Sequence, residues 1–281
     1  MPVLVTGATG LVGGSLVRSL VAAGHPVRVL TRTPGSVAAQ ALPASVEVVE
    51  GDFDRPDSLR AALRGVSRMH LVAMGGAVTH GADVVEAAVG AGVRRITHLG
   101  HHDPGRADDD PIERGHRALH RAIENSGVDY THVFPGEFMA NTREWAPSVR
   151  GEGVVRAPFG GWRSALVHEA DIAAVLAAAL LDDGHEGATY RPTGPVAIAR
   201  RDAVAALGAA LGRPVRFVEL TPEQARERWA GTYPSVVIDW FLEMGRNPDG
   251  NAWVSPDVER ITGRPGRTYA EWAVAHAAEF R

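Results

Sequence analysis

The chain has 281 residues, 45% of them hydrophobic and 22% charged, which is enough apolar material for a full core and excludes a disordered chain. Its 29 basic and 33 acidic residues leave a net charge of -4, so no broad positive field is available for nucleic acid or anionic lipid. There is no cysteine and every basic residue is arginine, which excludes disulfides, thiolate metal sites, thiol nucleophiles, Schiff-base or P-loop lysines and any Tyr-x-x-x-Lys pair.

Met1-Pro2-Val3-Leu4-Val5 has no basic lead, and its apolar run is strand-sized rather than a signal sequence. The longest apolar helix candidate, Ile172 to Leu181, falls far short of the ~20 residues a bilayer requires. A cytoplasmic protein without membrane contact is expected, and the Arg-only, Ala/Gly/Val-rich usage suggests a bacterial source of high GC content. Strands are expected at Val3 to Thr6, Val27 to Thr31, Val46 to Glu50, Arg68 to Ala73, Arg95 to Leu99 and Tyr130 to Phe134. Helices are expected between them at Leu11 to Ala23, Asp57 to Leu63, Asp83 to Ala91 and Glu113 to Asn125, with glycine stops at Gly24, Gly92 and Gly127. This alternation predicts βαβ units and a doubly wound α/β Rossmann sheet of parallel strands.

After Pro135 the rhythm breaks into a Gly, Pro and Trp-rich stretch from Gly136 to Arg163, then a helix opening near Asp171 and a short strand at Thr189 to Arg191. From Arg200 onward the pattern is mostly helical, with Trp229, Trp240, Trp253 and Trp272 scattered through it. The expected division places 1–140 with 164–200 in a nucleotide-binding domain. It places 141–163 with 201–281 in a smaller, mostly helical cap, over the strand ends where α/β sheets bind ligands.

The first strand runs directly into Thr6-Gly7-Ala8-Thr9-Gly10-Leu11-Val12-Gly13 and then a helix. Gly7 permits a tight turn, Gly10 lets backbone approach a pyrophosphate, Gly13 lets helix pack on strand, and the helix N-terminus supplies N–H groups. The second strand ends Leu30-Thr31-Arg32 without an acid; an arginine there suits a 2′-phosphate, or is a solvated loop residue, and NADP(H) is the expected cofactor. Asp52 and Phe53, past the third strand, are placed for an adenine amino group and face, with an ordinary surface turn as the other reading.

Further motifs follow: Thr31-Arg32-Thr33-Pro34, Gly51-Asp52-Phe53, Ala91-Gly92-Val93-Arg94-Arg95-Ile96, Ser126-Gly127-Val128-Asp129-Tyr130-Thr131, Pro135-Gly136-Glu137-Phe138-Met139-Ala140-Asn141, His185-Glu186-Gly187 and Tyr190-Arg191-Pro192-Thr193-Gly194. With the glycine-rich turn, this set resembles the NmrA-like branch of atypical short-chain dehydrogenases/reductases, particularly its type 2 NAD(P)H:quinone oxidoreductase-like members. The resemblance implies an NADP-binding Rossmann domain with a small C-terminal substrate domain, in proteins that are reductases or redox-sensing regulators. It implies cofactor contacts at Gly7, Thr9, Gly10, Leu11, Val12, Arg32, Asp52, Phe53, Ala73 and Met74, and at the Phe134-Pro135-Gly136 turn near the nicotinamide. The wider superfamily's catalytic Ser, Tyr and Lys positions fall here on Gly100, Ile112 and His116, so the proton-donating triad is missing.

Without that triad, an iminium, a quinone or another conjugated acceptor is easier to reduce than a simple ketone, because it needs little help from a proton donor. His98, His101 and His102 are expected after the fifth strand, while His116 and His120 share one helical face. His101 is read as a proton donor or substrate contact, or as loop packing. His116 is read as a proton donor or a ribose or nicotinamide contact, or as a structural histidine. No metal site is expected: His98, His101, His102, His116, His120 and Asp103 match no short ligand motif. Asp108-Asp109-Asp110 reads as a solvated loop lip.

Phe138, Met139, Trp145 and Trp162 offer apolar surface for a flat acceptor or belong to the core. Glu137 orients a cationic or hydroxylated substrate, or forms a surface ion pair. The function expected is an NADPH-dependent reductase of a small conjugated or aromatic acceptor, working as a monomer or homodimer. The alternative is an NADP(H)-binding redox sensor without turnover.

Overall fold

The computed structural model describes residues 1–101 and 111–281. The chain opens with β1 (Val3–Thr6), α1 (Leu11–Ala22), β2 (Val27–Thr31), a four-residue α2 (Val37–Gln40), β3 (Glu47–Glu50) and α3 (Leu59–Leu63). It continues with β4 (Arg68–Val72), α4 (Gly76–Thr79), α5 (Gly81–Gly90), β5 (Arg95–Leu99), α6 (Pro111–Glu124) and β6 (Asp129–Val133). A 3-10 segment (Met139–Trp145), α7 (Ala146–Glu152), β7 (Val154–Ala157) and β8 (Arg163–Ser164) precede α8 (Glu169–Leu181) and β9 (Ala188–Tyr190). The remainder is β10 (Ile198–Ala199), α9 (Arg200–Leu211), β11 (Arg216–Glu219), α10 (Pro222–Trp229), α11 (Ser235–Gly245), α12 (Asp257–Thr262) and α13 (Tyr269–Ala275).

Two units result, 1–135 with 169–192 and 136–168 with 193–281. The first is a seven-stranded sheet in the order β3-β2-β1-β4-β5-β6-β9, with every pair parallel. The chain works outward from β1 to β3, then crosses back and works outward again from β4, so the carboxyl ends of β1 and β4 form a topological switch point. All four residues of β1 are buried, as a central parallel strand covered on both faces requires. On one face α1 presents Val12, Leu16, Val17 and Leu20 and packs on α8, whose Ile172, Val175, Leu176, Ala179 and Leu180 are buried. On the other, Leu4, Met69, Leu71 and Ile96 meet Leu59, Leu63, Val84, Val85, Leu119 and Ile123 from α3, α5 and α6. The edge strand β3 is mostly exposed and carries Glu47 and Glu50, charges that discourage pairing with another chain. Arg28 Nε donates to Glu47 at 2.8 Å.

The predicted strands of this unit lie within one residue of those observed, and Gly24, Gly92 and Gly127 end their helices with φ of +80°, +96° and +77°. The helix expected at Asp57 to Leu63 is divided, a 3-10 turn at Pro56–Ser58 leading into α3. Among the described residues no helix is long and apolar enough to cross a membrane.

The second unit packs α9 and α13 around Trp272, Phe280, Tyr269, Leu207, Val149 and Val155. Its helices follow the pattern expected beyond Arg200, with one exception: β11 lies within that segment and pairs in parallel with β7. Gly153 and Pro158 bracket the Val-Val start of β7, so its strand character is confined to four residues. Trp253 is 56% exposed whereas Trp272 is fully buried.

One buried group gives the first unit a specific acid sensitivity. His70 on β4 is fully buried, with Nδ1 3.2 Å from Thr97 Oγ1, and burial lowers its pKa from 6.5 to about 4. The unfolded chain therefore takes up this proton before the folded one does. The His70 contribution is complete above about pH 6.5 and is lost as the pH falls to about 4. It amounts to about 3 kcal/mol of unfolding free energy. Denaturant titrations across that range should show the loss, and His70→Leu should flatten it.

Candidate functional site

The turn between β1 and α1 is built on missing Cβ atoms. Gly7 has φ +64°, and a Cβ there would lie 2.7 Å from Val72 Cγ1. A Cβ on Gly13 would lie 2.2 Å from the Gly7 carbonyl oxygen, inside any tolerable contact. The Gly10 N–H donates to the Gly7 carbonyl at 2.9 Å, and α1 starts with the Gly14 N–H on the Gly10 carbonyl at 2.8 Å. No side chain caps α1 and no acid occupies its first turn. Gly7, Thr9, Gly10 and Leu11 are exposed while Val12 is buried beneath them. Uncapped N–H groups at the positive end of a 12-residue helix make a cradle for an anion with closely packed backbone.

Around this cradle stand the ends of the neighbouring strands. Arg32, just past β2, is exposed and makes no ion pair among the described residues. Past β3, the Asp52 N–H donates to Ser58 Oγ at 2.8 Å, and Asp52 Oδ1 accepts the Asp54 N–H at 3.1 Å, which fixes this turn. Phe53 packs against the core behind it. A Cβ on Gly76 would lie 2.4 Å from Asp54 Oδ1 and 2.9 Å from Phe53 Cβ, so the loops after β3 and β4 touch. Ala73 is buried, its N–H donating to the Leu99 carbonyl at 2.8 Å, and Met74 beside it is 71% exposed. At the end of β6 the Phe134 N–H donates to the Tyr190 carbonyl at 2.8 Å, and the Arg191 guanidinium carbon is 5.9 Å from the Phe134 ring centre. Pro135 closes this unit, and Gly136 begins the other.

Histidines gather beside β5. His98 lies within the strand rather than after it and is fully buried; its ring fills the space beside Gly100, where a Cβ would be 2.4 Å from His98 Cε1. His101, past the strand end, has a side chain 48% exposed and lies 4.0 Å from the buried Glu113 carboxylate. The His116 ring is 6.0 Å from that of His101. Burial first, and His101 second, lower the His116 pKa, and Glu113 opposes them. His102, Asp103 and Asp108 to Asp110 lie outside the described residues. Among the described residues no cluster of histidines and carboxylates has metal-binding geometry.

In the second unit the 136–139 segment runs beside Val167, with Val167 N–H on the Glu137 carbonyl at 2.8 Å and Met139 N–H on the Val167 carbonyl at 3.0 Å. Met139 is turned into the core with Trp145, and Phe138 packs against its margin. Glu137 is no surface ion pair. Burial pushes its carboxyl pKa up, against hydrogen bonds from Ser164 and Asn251 and the charge of Arg200. The Arg200 guanidinium also covers the buried Trp162 ring at 5.1 Å. The structure thus brings Glu137 and Trp162 together through Arg200. Sequence reasoning missed Ser164, Asn251 and Arg200, which no local pattern links to Glu137. It also missed His132, although Thr97-His98 and Thr131-His132 repeat one dipeptide at the same place in adjacent strands.

A model of the NmrA-like family matches residues 2–246. The chain is 41% identical over 281 residues to the (4-alkanoyl-5-oxo-2,5-dihydrofuran-3-yl)methyl phosphate reductase of Streptomyces griseus, covering 99% of each chain. It is 37% identical to the NAD(P)H azoreductase of Xenophilus azovorans, again covering 99% of each. The crystal structure of an NADPH-dependent quinone oxidoreductase from Escherichia coli, complexed with NADPH, superposes with a TM-score of 0.79. That match has 26% identity and covers 97% of this chain and 99% of the other.

The cradle's packing is directly testable. Gly13→Ala should cost about 1–3 kcal/mol of stability, because its new methyl meets backbone that cannot step aside. Gly10→Ala, whose Cβ would sit 3.2 Å from the Gly7 oxygen, should cost much less; thermal denaturation of the two variants measures the difference.

Proposed function

The chain belongs to the NmrA-like family, and on that premise we propose that it is an NADPH-dependent reductase of small, electron-poor conjugated acceptors. The observation that carries this reading is the uncapped, Cβ-free cradle at the start of α1 with an unengaged arginine, rather than an acid, past β2. The relatives' printed names support the acceptor class. An unsaturated oxo-furan, an azo compound and a quinone are all conjugated π systems that spread the charge of an added hydride, so they need less help from a proton donor than a simple ketone whose alkoxide must be protonated as it forms.

Bound NADPH supplies the hydride. In this proposal Gly7, Thr9, Gly10, Leu11 and Val12 hold the pyrophosphate through backbone N–H groups, and Arg32 pairs with the 2′-phosphate. Asp52 and Phe53 receive the adenine, Ala73 and Met74 line the ribose side, and Phe134, Pro135 and Gly136 border the nicotinamide. His101 donates the proton that completes the reduction. His116, held mostly neutral by burial and by His101, contacts the ribose and relays protons more readily than it stores them. Glu137, Phe138 and Trp162 are the second unit's candidates for contact with the acceptor, while Met139 stays in its core. The protein acts on a small molecule in the cytoplasm, as a monomer or homodimer.

Two measurements check the assignments. Arg32→Ala should weaken NADPH by about 1.5–3 kcal/mol in calorimetric titration and leave NADH unchanged, because only NADPH carries the charge that the guanidinium meets. For chemistry, NADPH oxidation should be followed with unsaturated lactone, azo and quinone acceptors. His116→Ala should mainly raise the KM for NADPH. His101→Ala should lower turnover of an activated carbonyl by up to ~10²–10⁴-fold and barely affect a quinone. Binding of NADPH without oxidation by any acceptor would instead favour a nucleotide sensor.

A further inference from the structure

The reduction proposed above consumes one proton with each hydride, and the first unit contains a line of imidazoles leading to the proton donor from the other end of α6. Glu124, in the last turn of α6, is 44% exposed, and its Oε1 lies 3.5 Å from His132 Nε2. The other ring nitrogen of His132, Nδ1, is 3.0 Å from His98 Nδ1. One of these two nitrogens carries the hydrogen and the other accepts it. The His98 ring centre is 5.1 Å from that of His120; His120 and His116 are 6.3 Å apart, and His116 and His101 are 6.0 Å apart. The two ends, Glu124 and His101, are exposed, and the four histidines between them are buried.

We propose that Glu124, His132, His98 and His120 form a proton-relay path that resupplies His116 and His101. This rests on the reductase reading. Each ring takes a proton on one nitrogen and releases one from the other. Glu124 passes a proton to His132 Nε2 while His132 Nδ1 gives one to His98; from His98 Nε2 the next hop, to His120, passes through water, and the sequence repeats until His101 gives one to the reduced acceptor. One proton enters from water for each one delivered; no ring changes its charge, and each ring, left in its other tautomer, exchanges its hydrogen with water before the next delivery. Structural packing alone does not account for the path. Burying four imidazoles in an otherwise apolar layer is costly, and His98 Nε2 has no hydrogen-bond partner among the described residues. The missing side chain at Gly100 is part of the same arrangement, because a Cβ there would lie 2.8 Å from that nitrogen.

The charge environment favours transport over storage. His98 faces His132 on β6 and His120 and His116 on α6, while His70 on β4 lies on the other face of the sheet beside Thr97. The His98 pKa lies well below 6.5, first through burial and then through His132, His120, His70 and His116. Glu113 on α6 is the carboxylate at the His101 end, and Glu124 the one at the His132 end. His98 and His116 therefore hold a proton less readily than a free imidazole, and a charge crosses them only in passing.

The test compares the full-length wild type with Glu124→Gln, which replaces an exposed carboxylate with its neutral isostere, and with His132→Phe, whose ring has a stacking partner in Phe134. Both variants should bind NADPH as the wild type does. Turnover above pH 7 should fall about tenfold or more, with an increased solvent isotope effect and partial rescue by added imidazole. In the protein without cofactor, Glu124→Gln should slow exchange of the His132 and His98 ring protons with water, read by nuclear magnetic resonance. Should His132→Phe fail to fold, the surface variant still decides the matter. An active wild type whose turnover, pH profile and ring-proton exchange are unchanged in Glu124→Gln overturns the relay and leaves the reductase reading intact. A wild type that oxidises NADPH with no acceptor overturns both.

Discussion

The contact on which the first unit depends is the one between Gly13 and the Gly7 carbonyl, where a Cβ would lie 2.2 Å from the oxygen. Only at that separation can α1 begin directly from the buried strand β1, with its first turn uncapped by any side chain and its Val12, Leu16, Val17 and Leu20 stripe seated with α8. A larger residue at either position moves the helix away from the sheet, and with it the buried layer and the anion cradle together. Stability and ligand binding are therefore coupled at this turn through one steric constraint.

Polar burial is the second organising feature. Side chains alternate across a strand, so the paired Thr-His dipeptides of β5 and β6 place Thr97 and Thr131 on one face, His98 and His132 on the other. On the first face Thr97 meets His70, and Thr131 donates to the His185 carbonyl at 2.7 Å. On the second the histidines meet those of α6. A parallel sheet covered by helices normally fills both faces with aliphatic groups; here part of each face is given to titratable rings, at the cost of the acid sensitivity described for His70.

Much of the nucleotide-binding frame was legible in the sequence because its signals are local. Strand-length β-branched runs, glycine stops and the Gly7 to Gly13 spacing each report on a few adjacent residues, and all reappear in the structure. The four-residue helices α2 and α4 span too few residues to show a helical period. β11 was hidden in a segment read as helical, since its evidence is pairing with β7 far away in the chain. The environment of Glu137 was out of reach for the same reason: Ser164, Arg200 and Asn251 come from three separate segments. Grouping His98 with His101 and His102 beyond the strand, although the expected strand Arg95 to Leu99 contains it, conceals its pairing with His132.

Hydride transfer from NADPH to a conjugated acceptor leaves a label that fixes both where the hydride came from and where it went. The most direct test uses NADPH deuterated on one or the other face of its nicotinamide ring, with an α,β-unsaturated lactone, an azo compound and a quinone as acceptors. Deuterium on one face alone should slow oxidation, and the reduced lactone should carry that deuterium on the carbon β to its carbonyl. Tight NADPH binding with no oxidation by any of the three acceptors, or a reduced lactone without the label, would contradict this hydride transfer.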